Sequence, residues 1–146
     1  MTEGKRASDT NKALLQRFYD EVINGRNLDL IDEMLTEDFV EFEEFPGIPP
    51  TREGVKQTFA MFYAAFPDIH FRVDDLLAEG NLVAARVTIT GTHEGEFMGV
   101  PATGRSVEIV AMDFVSFRDG QATAHWGVGD MVLLLQQLGV MPPPGG

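Results

Sequence analysis

A chain of 146 residues with 11 Lys and Arg against 23 Asp and Glu carries a formal net charge of −12, and it has no cysteine. The length suits one domain with its own core. The missing cysteine excludes disulfides, thiolate metal sites and thiol nucleophiles, and the negative charge argues against nucleic acid and anionic membranes, both of which call for positive patches.

Residues 1–9 are polar and read as a disordered leader, lacking the apolar core of a secretory signal. No apolar run approaches the ~20 residues that span a bilayer, so a cytoplasmic location is the default expectation. From Thr10 to Ile23, Leu14, Leu15, Phe18, Tyr19, Val22 and Ile23 paint a wide apolar stripe on a helix, and Asn24-Gly25 closes it. A second short helix is predicted over Leu28–Leu35. Phe39–Phe42 is extended, and residues 46–50 form a Pro/Gly loop. Thr51 reads as the N-cap of a third helix, Arg52 to Phe66, which Pro67 ends.

After Pro67 the period changes to two. Ile69–Leu77 alternates, Gly80-Asn81 is a turn, and Val83, Ala85, Val87 and Ile89 line one side of the next strand. Residues 94–105 form a Gly/Pro-rich loop. Ser106–Arg118 is a long strand, Asp119-Gly120 a hairpin turn, and Gln121–Gly129 the returning strand. Asp130 caps a last short helix, Met131–Leu138. Residues 10–141 thus form a single domain, with 142–146 a flexible tail. Helices followed by an antiparallel meander read as α+β. A curved antiparallel sheet with three N-terminal helices on its concave face makes a cone whose interior is a natural pocket.

Asp113 stands out. It lies among Val107, Ile109, Ala111, Val115 and Phe117, the alternate and otherwise apolar set of the long strand. Desolvation there raises a carboxyl pKa toward values useful for proton transfer; the same placement also suits a structural Asp accepting internal hydrogen bonds. His93 shares the parity of Val83 to Ile89 and is expected inside. His70 alternates with Arg72 and faces solvent. On the last strand, Ala122, Ala124, Trp126 and Val128 make one face, and Thr123, His125, Gly127 and Gly129 the other. Pattern alone buries Trp126 and exposes His125, unless the small polar face lines the cavity. Tyr19 and Tyr63 are placed to aim hydroxyls into the pocket or to pack in the core. Phe59, Phe62, Phe66, Phe97, Met98 and Met112 read as core or apolar pocket wall.

No histidine pair has a metal-ligand spacing, and no glycine-rich turn opens onto a helix as phosphate loops do. Neither metal nor cofactor is therefore expected. Eight acidic residues lie between Asp29 and Glu44 without a Lys or Arg among them. Most read as a solvated face, although Glu43 and Glu44 fall in a loop near the cone mouth, where an acid or base could act.

The stretch Gly91-Thr92-His93 through Gly99-Val100-Pro101 to Arg105 resembles the strand–loop signature of SnoaL-like proteins. Asp119-Gly120-Gln121, His125-Trp126-Gly127, Asp130 and Leu135-Gln136-Gln137-Leu138-Gly139 resemble their closing stretch. The likeness covers about residues 10–141. It implies the cone-shaped fold shared with nuclear transport factor 2 (NTF2-like) and acid/base chemistry without metal or cofactor. The substrate would be an apolar, carbonyl-containing small molecule. Cyclisation or isomerisation in polyketide or other secondary metabolism is the implied reaction. A homodimer through the outer sheet face is implied too, and Val110, Met112 and Phe114 suit it.

Matching Asp-Gly and Gln-Leu-Gly places the family cyclases' catalytic aspartate at Gly127 and a pocket histidine at Asp113, while the histidine two residues earlier stays as His125. The resemblance therefore turns the odd positions of the last strand toward the pocket. On this reading Asp113, His125 and His93 are the catalytic candidates. Tyr19, Phe59, Phe62, Tyr63, Met98, Ala111, Trp126 and Gly127 are the substrate-binding candidates. The alternatives are a non-catalytic small-molecule binding domain, a hydroxylase-like relative, or an epoxide-hydrolase-like site, which needs an Arg between two carboxylates. For that role Arg86 lies on the wet side of its strand.

Overall fold

The structure, a computed structural model, describes residues 3–143 and 145. Helix α1 spans Glu3–Arg17 and continues as a π-helical segment, Phe18–Asn24. It starts at Glu3 rather than at Thr10, so the expected disordered leader is helical from Glu3 on. Met1 and Thr2 lie outside the described residues. The added turns are almost wholly exposed, which is why no apolar stripe announced them. Of the expected tail, residues 144 and 146 lie outside the described residues.

A 3₁₀ turn, Leu28–Leu30, leads into the short helix α2, Ile31–Met34, and directly into strand β1, Leu35–Glu41. Helix α3 is Arg52–Ala65, with the Thr51 hydroxyl accepting from the Gly54 N–H. Strands β2 (His70–Glu79), β3 (Leu82–Thr92), β4 (Ser106–Arg118) and β5 (Gln121–Gly129) follow. Helix α4, Met131–Gln137, closes the chain, capped by Asp130 accepting from the Leu133 N–H.

The five strands form one curved, unclosed sheet in the order β1-β5-β4-β3-β2. The meander β2 to β5 is antiparallel, as its tight turns require. Strand β1 departs from the expected all-antiparallel sheet: it adds to β5 in parallel. The α3 crossover and three strands separate β1 from β5 in sequence, so no hairpin constrains their direction. Helix α1 packs over β2 and β3, and α3 over β1. The odd-numbered side chains of β4 point to these helices and are buried at Val107, Ile109, Ala111, Val115 and Phe117, while Val110, Met112 and Phe114 are exposed on the other face.

One register shift matters for everything inside the cone. Along β4–β5, Phe117 pairs with Ala122 but Ser116 pairs with Ala124. The extra residue, Thr123, makes a bulge that changes which parity of β5 faces inward. Ala122 is inside before it; His125, opposite Val115, and Gly127, opposite Asp113, are inside after it.

Replacing Thr51 by Ala should lower stability by about 1 kcal/mol, the usual worth of an N-cap. Gly54→Ala should cost more, because its Cβ would lie 1.8 Å from the Pro49 carbonyl oxygen. Urea unfolding followed by circular dichroism measures both.

Candidate active site

The concave face and the helices enclose a cavity of about 170 Å³. Its wall is chiefly apolar and aromatic, with Phe39, Phe59, Phe62, Phe117 and Ala111 among its members. Into this wall fold five ionisable side chains from four elements and the loop after β1: Tyr19, Glu41, Glu43, Asp113 and His125.

Four of them form a continuous hydrogen-bonded chain. The Tyr19 hydroxyl donates to Asp113 Oδ2 at 2.5 Å. His125 Nε2 lies 2.8 Å from Asp113 Oδ1, and His125 Nδ1 lies 2.5 Å from Glu41 Oε1. Both imidazole nitrogens thus face carboxylates, so both donate and the ring is a cation. The local structure dictates each placement. The bulge turns His125 inward, the parallel pairing sets Glu41 beside it, and the π-helical segment carries Tyr19 over β4.

Burial would depress the His125 pKa, but hydrogen bonds and charge from Asp113 and Glu41 outweigh it and push it up to about 10. Burial pushes the Tyr19 hydroxyl far above its ordinary value, with Asp113 adding to the effect. It therefore remains a donor. Glu43 sits at the edge of the group, its Oε2 4.0 Å from His125 Nε2. Burial raises its carboxyl to about 7; His125 pulls it down in part, while Asp113 and Glu41 push it up.

Glu43, Asp113 and His125 also place one potential metal ligand atom each within 4.8 Å of one another. A divalent cation there would have to displace the Nε2 proton that His125 shares with Asp113.

The other expected site residues lie elsewhere. His93 is fully buried behind Phe66, away from the cavity wall. Its Nδ1 accepts from the Thr103 N–H, and its Nε2 has no partner among the described residues. It pins the 94–105 loop to β3. Trp126 stands on the outer face, opposite Phe114 and stacked on Phe42 at 5.0 Å. The bulge put it there, against the alternation read from the sequence. Tyr63 bonds the Ile23 carbonyl at 2.7 Å under the Arg26 guanidinium, which takes its hydroxyl out of the pocket. Met98 is exposed in a positive-φ turn. Arg86 pairs with Asp75 on the surface, so it does not stand between two cavity carboxylates. Glu41 is not singled out by the sequence, and Glu43, which reads as an acid or base at the cone mouth, is not in the expected catalytic set. The signal available was their i, i+2 spacing across the end of β1.

The site should shape stability against pH. A group whose pKa rises on folding stabilises below its unfolded value, and that contribution is lost as pH climbs through the folded value. For Glu43 the window runs from 4.5 to about 7, and for His125 from 6.5 to about 10. The lowered carboxylates Asp68 and Asp74 act oppositely, and their stabilisation is lost on the acid side. Melting temperature should therefore peak at about pH 4 to 4.5, fall as Glu43 titrates toward pH 7, and fall further toward pH 10 as His125 does. In His125→Gln the alkaline part of that fall should vanish, as scanning calorimetry across pH would show.

The family model for SnoaL-like polyketide cyclases matches residues 13–138. Among solved structures, IdmH of Streptomyces antibioticus, described as a proposed polyketide cyclase, is 36% identical. It superposes with a TM-score of 0.76 over 89% of this chain and 99% of its own. AclR of Streptomyces galilaeus, described as a proposed hydroxylase, is 31% identical with a TM-score of 0.80, over 93% of this chain and 85% of its own. TsrD of Streptomyces laurentii is 26% identical with a TM-score of 0.82, over 91% of this chain and 97% of its own. No curated protein matches the chain significantly. With its family match, its α+β sheet-and-helix cone and its NTF2-fold neighbours, the chain belongs to the SnoaL-like polyketide cyclase family.

Proposed function

We propose that this protein moves protons on a small, neutral, carbonyl-containing compound bound in the aromatic cavity, leading to cyclisation or isomerisation in polyketide or related secondary metabolism, without metal or cofactor. The observation that carries this reading is the charged chain Tyr19–Asp113–His125–Glu41 set into an otherwise apolar wall. A dry cavity rejects a free ion, so an imidazolium kept there at the expense of two carboxylates has a use. It faces the negative charge that develops on a carbonyl oxygen when the neighbouring carbon loses a proton. Asp113 keeps His125 protonated and aimed, and the two act as one unit. The volume sets the scale of the ligand: about 150 Å³ of apolar cavity holds one benzene ring, so 170 Å³ encloses about one ring of the substrate, and any further ring extends beyond it. The family membership supports a cyclase or isomerase role in general.

The partner for the outer face is a second copy of the chain. Val110, Met112, Phe114, Trp126, Val128 and Phe42 are all exposed there. A contiguous apolar patch of this kind marks an interaction surface. A twofold arrangement would place the same patch on both subunits.

Two measurements test these readings. The C1 protons of 2-tetralone should exchange with D₂O faster in the presence of the protein than in buffer, as followed by proton NMR. Asp113→Asn should lower that rate at least ~100-fold with circular dichroism unchanged. Binding of the ketone without exchange would instead mark a non-catalytic binding domain. In sedimentation equilibrium the protein should show twice its 16.1 kDa mass, and Phe114→Glu should return it to a monomer.

A further inference from the structure

The groups that form the charged chain are spoken for. The Tyr19 hydroxyl and both nitrogens of His125 face carboxylate oxygens, both Asp113 oxygens accept, and Glu41 Oε1 takes His125 and the Glu43 N–H. Each of these side chains already holds a partner within the chain. Glu43 differs. It lines the cavity, its side chain is 31% exposed against 11% for Asp113, and among the described residues its close polar neighbour is His125 Nε2 at 4.0 Å.

What lets Glu43 reach this place is the residue facing it. A Cβ on Gly127 would lie 2.2 Å from Glu43 Oε2, 2.7 Å from His125 Cε1 and 2.8 Å from Asp113 Oδ1. The Glu43 carboxylate therefore fills the volume of the side chain that residue 127 lacks. Nothing in the backbone asks for glycine there. Gly127 is not among the positive-φ glycines, and a strand interior disfavours glycine unless something approaches closely.

We propose that Glu43 is the base and acid that exchanges a proton with the ligand's carbon beside its carbonyl, and that the bare Gly127 is what admits its carboxylate between Asp113 and His125. The inference rests on the proton-transfer reading above and names the group that performs it. The Glu43 carboxylate takes the C–H proton. The C–H electron pair becomes the enolate C=C, and the carbonyl π pair moves onto oxygen beside the His125 cation. Return of the proton from Glu43 to another carbon isomerises the ligand; attack of the enolate carbon on a second carbonyl closes a ring, with Glu43 giving its proton to the new alkoxide. The groups facing Glu43 are Asp113 on β4, His125 on β5, Glu41 on β1 and Tyr19 from the helix above. Burial leaves its carboxyl divided between both protonation states near neutrality, which suits a group that must both take and give.

The test uses the intact protein carrying ¹³C-labelled glutamate, with 2-tetralone as the exchange probe. A glutamate carboxyl should titrate near pH 7, vanish in Glu43→Gln, and move down toward the ordinary range in Gly127→Ala, where the new Cβ expels the carboxylate. Exchange should rise with pH through the same midpoint and fall at least ~100-fold in Glu43→Gln. The neighbouring exposed Glu44→Gln should leave it unchanged. If Glu43→Gln exchanges like the wild type, or Glu43 titrates in the ordinary carboxyl range, the proposal is overturned while the proton-transfer reading stands. If the wild-type protein shows no exchange above buffer, both fall.

Discussion

The imidazolium of His125 between Glu41 and Asp113 is the interaction on which the rest of the cone turns. It joins three strands that meet in the sheet order β1-β5-β4, and through Asp113 it reaches Tyr19 on the first helix. Breaking a buried charge pair by removing one member is strongly destabilising, because it strands the other charge. The cavity wall thus depends on the same contact that gives the cavity its chemistry. A site built this way couples its geometry to its charge: the ring cannot lose its proton without loosening its hold on the edge strand.

The apolar surroundings follow from the same constraint. Low dielectric around Phe59, Phe62 and Phe117 strengthens each charged hydrogen bond and penalises any charge without a partner. Glu43, which lies 4.0 Å from the His125 cation, answers this penalty by holding on to a proton up to about pH 7. The difference between Asp113 and Glu43 is therefore one of company and not of residue type. Both are carboxylates in one pocket, yet one is held by two donors and the other stands 4.0 Å from the cation.

Much of the fold could be read from the chain because periodicity and turn chemistry agree. Ser106–Arg118 and Gln121–Gly129 match the observed strands, and the Thr51 and Asp130 caps are in place. Asp113 was legible because a carboxylate interrupts an apolar alternate set. The direction of β1 was not, since pairing between strands far apart in sequence leaves no local mark. The exposed first turns of α1 escaped notice because helix without burial shows no stripe. Trp126 and His93 misled for a common reason. Alternation assigns a face but not what lies on it, and a bulge of one residue or a covering Phe66 decides whether an inward side chain meets a cavity or only protein.

That bulge at Thr123 acts as a spatial reading frame for the last strand. Upstream of it one parity looks inward, downstream the other, with no change in the strand's path along the sheet. Regular pairing with every residue kept, Thr123 opposite Ser116, would exchange the two sets, sending Trp126 into the cavity and His125 to the surface. The chemistry of this protein therefore hangs on the register of its residues as much as on their identity. A relative that kept His125, Asp113 and Glu43 but straightened this hairpin would keep the letters of the site and lose its arrangement.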